Sequence, residues 1–247
     1  MDNSRPSELG ITDILTLLAQ GELEVQGMLP WSSNYTLLAT VCANGTRGLA
    51  VYKPRRGERP LWDFPRGTLC QREVAAYLLS EALGWALVPP TILRDGPYGV
   101  GSVQLFIDAE QDAHLFTMQQ EGGYEAAIER LAAFDVIANN ADRKSGHCLK
   151  GTGGRLWAID HGICFHVEPK LRTVLWDLAG QPISADILAD LSALRDRMQA
   201  GDPVIELLDS LLAPDEMRAL RRRLERLIAR GKHPEPGRGY NVPWPPV

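Results

Sequence analysis

Two aspartates at turns carry the most chemical content in this chain. Asp142 lies in Asn139-Asn-Ala-Asp-Arg-Lys-Ser-Gly-His147, a polar run entered from the amphipathic stretch Tyr124 to about Ala138. Asp160 ends the apolar run Trp157-Ala-Ile159 and precedes His161-Gly162. A carboxylate at a helix exit and another at a strand exit suit phosphoryl transfer. One orients or deprotonates an attacking hydroxyl, and the other holds the metal ion that neutralises a triphosphate. Plainer roles exist for each: Asn140 and Asp142 can satisfy orphan groups at a helix end, and Asp160 can be a turn residue. The crowding of Asn139, Asn140, Asp142, Arg143 and His147 into one loop goes beyond capping.

A triphosphate also needs cations and amides. Lys53 ends an apolar strand with Leu49 and Val51 read as inward, so it could reach phosphates lying under a sheet, and Glu73 near the start of the next helix could hold its ammonium. Beside Pro54 and Arg55 it could equally be a solvated strand end. No Gly-x-Gly-x-x-Gly or Gly-x-x-x-x-Gly-Lys-Ser/Thr occurs. In their place Ser32, Ser33 and Asn34 could cap phosphates with hydroxyls and backbone amides, or form an ordinary polar turn. His147 follows Asp142 at the spacing where many kinases carry a metal-binding asparagine. Imidazole is a softer ligand than magnesium prefers.

The elements that must position these groups follow from periodicity and turn chemistry. A helix from Ser7 to near Gly21 precedes strands at Leu23–Met28 and Tyr35–Ala43. Asn44-Gly45 then signals a tight hairpin into Gly48–Lys53. Helix is expected from Cys70 to Leu83, strands at Thr91–Arg94 and Gly101–Ile107, and helices at Gln111–Gln119 and Tyr124–Ala138. A short hairpin pairs Cys148–Lys150 with Leu156–Ile159, and helices follow at Ser184–Gln199, Pro203–Leu212 and Pro214–Arg230. The arginines of the last helix read as a solvated face. The proline-rich end from Lys232 is an extended tail that packs back or docks a partner, with packing back preferred. The expected class is α+β: an antiparallel-sheet N-lobe at residues 1–106, a helical C-lobe at 107–231 and a tail at 232–247.

With 247 residues, a net charge of −5 and a pI near 5.6, the chain has no global field favouring nucleic acid or an anionic membrane. No apolar run is long enough to span a bilayer and no secretory signal pattern occurs, so no integral membrane segment is expected. Cys42, Cys70, Cys148 and Cys164 are scattered without a Cys-x-x-Cys pair. They read as reduced thiols of a cytoplasmic protein.

Ser102-Val-Gln-Leu-Phe-Ile107, Asp135-Val-Ile-Ala-Asn-Asn-Ala-Asp-Arg143 and Ala158-Ile-Asp-His-Gly162 together resemble the phosphatidylinositol 3-/4-kinase-like superfamily. The likeness is nearest to type II phosphatidylinositol 4-kinases and fainter to persistence-toxin kinases. It implies a two-lobed protein-kinase-like fold that uses ATP with Mg²⁺ or Mn²⁺. By this resemblance Lys53 binds the ATP phosphates and Glu73 orients it, Asp142 is the catalytic aspartate, and His147 and Asp160 hold metal. Gln104, Leu105, Phe106 and Ile107 would meet the adenine edge, with Val51 and Ile159 completing the nucleotide site. The cysteine cluster that anchors type II enzymes is missing. Lys170, Arg172 and Trp176 could meet an anionic headgroup, an acidic peptide or a phosphorylated metabolite, or be plain surface. Three activities therefore stay open: ATP-dependent phosphate transfer to a hydroxyl of a protein, lipid or metabolite; nucleotide binding without turnover in a regulatory module; and transfer of AMP.

Overall fold

Asn44 and Gly45 both take left-handed backbone, with φ of 50° and 80°, as a two-residue primed turn requires. They join β2 (Leu37–Ala43) to β3 (Thr46–Pro54), the centre of a five-stranded antiparallel sheet. In this computed structural model, residues 9–29 and 35–247 are described. The sheet order is β1-β2-β3-β5-β4, with β1 at Glu22–Met28, β4 at Thr91–Gly96 and β5 at Gly99–Leu105. Helix α1 (Ile11–Gln20) buries Leu17 and Leu18 in a core with Leu37, Ala39, Val41, Ala50, Tyr52 and Val103. Arg94 Nη1 donates to the Leu18 and Gly21 carbonyls, each at 2.8 Å, and so satisfies acceptors at the end of α1.

The alternation of β3 corrects one expectation. Ala50 and Tyr52 face the core, whereas Leu49, Val51 and Lys53 occupy the opposite face and Leu49 is exposed. Strand period leaves no other choice, because core residues two apart put the residues between them on the far face. Pairing of Val51 with Gln104 and of Lys53 with Ser102 brings β3 and β5 together on that face. A Cβ at Gly101 would fall 2.5 Å from the Lys53 carbonyl, so only glycine lets β5 approach this strand end so closely.

The chain divides into two compact units. Met1–Arg59 with Pro90–Phe106 forms the sheet unit, and Pro60–Pro89 with Ile107–Val247 forms the other. Helix α2 (Leu69–Ala82), placed in the N-lobe by sequence position, is thus grouped with the second unit. It is buried on almost every side, and its Arg72 Nη2 lies 2.6 Å from Glu216 Oε1 of α7 (Pro214–Arg230). The other helices of this unit are α3 (Leu115–Glu121), α4 (Glu125–Ala138), α5 (Ala185–Ala200) and α6 (Pro203–Leu211). Helix α3 starts later than Gln111 because Asp112 is left-handed at φ 64° and Thr117 Oγ1 accepts the His114 N–H to set the first turn. The hairpin β6 (Cys148–Lys150) and β7 (Leu156–Ala158) ends one residue short of the expected Ile159.

The tail packs back through its backbone. His233 N–H donates to Gln181 O at 3.0 Å, Thr173 N–H to Asn241 O at 3.0 Å, and Ser145 N–H to Pro246 O at 2.8 Å. Its aromatic rings do not share that fate: Tyr240 and Trp244 are 68% and 78% exposed. Prolines account for the tail's use of carbonyls at Asn241 and Pro246, since a chain rich in them offers acceptors but few N–H groups.

Candidate active site

Helix α4 ends because Asn139 turns left-handed at φ 54°. Its side chain then ties down the downstream loop, donating to His166 O at 2.9 Å and Glu168 O at 2.7 Å and accepting from Lys170 N–H at 2.8 Å. Asn140 Nδ2 donates to Asp135 Oδ1 at 2.9 Å, and its Oδ1 accepts the Asp142 N–H at 3.0 Å. Arg143, fully buried, forms a two-point pair with Asp135 at 2.9 and 3.0 Å. It also donates to Ile159 O at 3.0 Å and reaches His161 Nε2 at 2.6 Å. Burial opposes its charge, but Asp135 more than offsets this and holds the guanidinium above its ordinary pKa. Asn139, Asn140, Asp135 and Arg143 are therefore scaffold, the helix-end role that the sequence left open for Asn140.

That scaffold presents Asp142 to a half-buried position. Burial raises its carboxyl pKa, the nearby Asp160 raises it further, and Lys144 works against both. Lys144 Nζ lies 3.6 Å from Asp142 Oδ2. This lysine was missed in the sequence, where its signal was the Asp-x-Lys spacing within the loop.

The β6–β7 hairpin supplies the second half. Antiparallel pairing places the residue before β6 beside those after β7, and Ile159 N–H donates to His147 O at 2.9 Å. His147 Nε2 consequently stands 3.4 Å from Asp160 Oδ2. Asp160 holds φ 59°, an uncommon state for a residue with a Cβ. The turn is fixed from behind, since His161 N–H donates to Glu73 Oε2 at 3.0 Å and Glu73 is buried. A Cβ at Gly162 would stand 3.4 Å from Glu73 Oε1, so the turn packs tightly on that carboxylate.

Asp142, His147, Asp160 and Glu73 thus converge within the second unit. Val51, Lys53 and Gln104 share a face of the sheet unit, and Ser32, Ser33 and Asn34 lie outside the described residues. Gln104 is buried and its Nε2 donates to Thr91 Oγ1 at 2.8 Å. In the connector, Leu105 N–H donates to Pro90 O at 2.8 Å and Phe106 N–H to Leu49 O at 3.0 Å. Ile107 N–H makes no backbone hydrogen bond among the described residues.

The residues fit a divalent cation as a two-ligand site. Cis ligands of an octahedral ion at about 2.1 Å stand roughly 3 Å apart, close to the His147–Asp160 separation. Among the described residues no group of three or more His, Cys, Asp or Glu is placed to hold a metal alone. The remaining ligands would come from phosphates and water, the usual mode for magnesium. None of the four cysteines is in a disulfide among the described residues, and burial lifts Cys148 to about 12, which makes it a poor nucleophile. No helix among the described residues is long and apolar enough to cross a membrane.

No family model matches the chain. The crystal structure of a Helicobacter pylori proinflammatory kinase, CtkA, is similar at a TM-score of 0.53 and 13% identity, covering 85% of this chain and 92% of that one. A hydra Fam20 structure with sugar is similar at 0.52 and 14%, covering 92% and 89%. The fold is therefore mixed α+β and kinase-like, as expected from the sequence. Phosphatidylinositol 4-kinase gamma 2 of Arabidopsis thaliana is 29% identical over 157 residues, half of this chain and 28% of that protein. Protein Rv2133c of Mycobacterium tuberculosis is 43% identical over 263 aligned residues, 93% of this chain and 94% of its own length. At that identity and coverage, this kinase-fold chain belongs to the same family as Rv2133c.

Proposed function

We propose that the chain is an ATP-dependent phosphotransferase of the phosphatidylinositol 3-/4-kinase-like superfamily, acting on a hydroxyl-bearing acceptor. The observation that carries this reading is the convergence of Asp142, His147 and Asp160 on a loop and hairpin braced by Arg143. The kinase-like fold and the partial match to a phosphatidylinositol 4-kinase support it.

In this mechanism Asp142 orients the acceptor hydroxyl, and one of its carboxylate oxygens takes the proton as the new phosphate ester forms and the bond from the γ-phosphorus to the β–γ bridging oxygen breaks, releasing ADP. Its raised pKa makes it a better base than an ordinary aspartate. Lys144 offers a positive charge beside it for the phosphate in flight. A divalent cation held by Asp160 and His147 would neutralise the triphosphate. The imidazole favours Mn²⁺ over Mg²⁺. Lys53, Ser32, Ser33 and Asn34 are the groups proposed for the phosphates. Val51 and Gln104 to Phe106 of the sheet unit are proposed for the nucleotide, as is Ile159 of the second unit, and the Ile107 amide for the adenine edge.

The decisive experiment compares γ- and α-labelled ATP in wild type and Asp142→Asn. Transfer of the γ label alone, with Mn²⁺ supporting more turnover than Mg²⁺ and loss of about 10²–10⁴-fold in the variant, is the expected result. Transfer of the α label would instead identify AMP transfer. His147 in place of an oxygen ligand favours a second reading, a nucleotide-binding regulatory module. Metal-dependent thermal stabilisation by ATP that is lost in Asp160→Ala, without transfer of either label, selects it.

A further inference from the structure

Eight cations and one carboxylate line a cavity of about 730 Å³ in the second unit, although the whole chain carries a net charge of −5. Four are on α7: Arg222, Arg223, Arg226 and Arg230. Lys170 and Arg172 come from the loop after Asp160, Lys232 and Arg238 from the tail, and Glu235 is the lone acid. Lys170 is held by Asp63 at 2.8 Å. Among the described residues no carboxylate pairs with the other seven, whereas Arg218 and Arg221 on the same helix do have acidic partners. The arginines expected to form a plain solvated face are in part the wall of a pocket.

One member is built in. Arg223 donates from Nε to Ile137 O at 2.8 Å and from Nη1 to His166 O at 3.1 Å, which fixes the plane of its guanidinium. Its Nη2 is shut off from solvent and has no hydrogen-bond partner among the described residues. Burial lowers this group to about 10. A desolvated donor without an acceptor is costly, and a side-chain shift that brings Nη2 to an anion in the cavity removes that cost. Several guanidinium groups around one space suit the oxygens of neighbouring phosphates, which they bind in pairs.

We propose that this cavity binds a compact polyphosphate anion, either free or as the headgroup of a phosphorylated lipid. The proposal does not depend on the phosphotransfer reading, because the cavity shares none of Asp142, His147 or Asp160. It does adjoin their scaffold: Arg172 N–H donates to Asn140 O at 2.9 Å and Arg172 O accepts from Arg143 N–H at 3.0 Å. An anion seated there would stiffen the strand of backbone against which the catalytic loop rests.

The test is thermal unfolding and calorimetric titration of the full chain with inorganic tripolyphosphate in EDTA, which keeps metal-dependent binding out of the signal. Wild type should bind with a rise in melting temperature. Arg222→Gln/Arg226→Gln, two exposed and unpaired positions, should bind at least tenfold more weakly. Arg218→Gln, the same charge change on the same helix outside the cavity, should bind like wild type. Lys232→Gln gives an independent variant if the double change unfolds. Phosphatidylcholine vesicles with and without phosphatidylinositol 4-phosphate form the second arm. Binding of the phosphorylated vesicles alone, lost in the double variant, assigns the same chemistry to a lipid source. Failure of both probes to bind wild type, or equal binding by wild type and the double variant, overturns the proposal.

Discussion

Around the loop after α4 the second unit sets two kinds of charge side by side. Asp135 and Arg143 are both fully buried and matched in two hydrogen bonds; Arg143 also donates to Ile159 O, and Asp135 accepts from Asn140 Nδ2. Asp142 and Asp160 are both partly exposed; Asp160 adds to the burial that raises the Asp142 pKa, Lys144 works against it, and His147 lies 3.4 Å from Asp160. The first pair is closed by hydrogen bonds within the fold, whereas Asp142 keeps a raised pKa beside a lysine 3.6 Å away. A buried, paired scaffold is what holds such an acid in a fixed geometry.

The largest expected effect comes from breaking the scaffold. Arg143→Ala leaves Asp135 as a buried unpaired carboxylate and should cost about 3–5 kcal/mol of stability, read by chemical denaturation. If that variant unfolds at the wild-type denaturant concentration, the pair is not the brace described here.

Removing the under-compensated charge should do the opposite. Asp142→Asn is expected to lose transfer yet to raise the melting temperature by about 2–4 °C, corresponding to roughly 1 kcal/mol in a chain of this size. The sign follows from linkage. Asp142 is raised in the fold, so the native state binds more protons than the unfolded chain above pH 3.8, and ionisation lowers stability as pH climbs through the folded pKa. The wild-type advantage at acidic pH should therefore shrink with rising pH, and the variant should not show it. Activity should fall on acidification through that same pKa, higher than for an ordinary aspartate, because the proton acceptor is then occupied.

The smallest effect concerns the tail. Deleting residues 241–247 removes the carbonyl acceptors of the Ser145 and Thr173 amides and of Trp176 Nε1. A loss of about 1 kcal/mol is expected, since water can replace each bond. Faster hydrogen exchange confined to residues 143–146 and 172–176 would mark this as local support. A change spread over α4 would give the tail a larger role.

Much of the layout was readable in advance because local rules govern it. Asn-Gly set the β2–β3 turn, proline and acidic residues started α6 and α7, and apolar periods set most helices. Misreadings arose where a face or a partner mattered. An apolar strand reads Leu49 as inward, but only the placement of α1 decides which side of β3 is core. The α7 arginines read as a solvated run because the sequence, though it favours a returning tail, does not say which surface that tail lies beside.

By itself the sequence determined the order of elements, the turn chemistry and the types of group available at Asp142, His147 and Asp160. The folded chain settles what neither spacing nor residue type can: which side chains brace the loop, as Asp135, Asn140 and Arg143 do, and which stand beside one another, as His147 and Asp160 do. Pairing Asp135 with Arg143, setting His147 beside Asp160, and gathering eight cations around one cavity each join residues whose chemistry depends on burial and on neighbours distant along the chain.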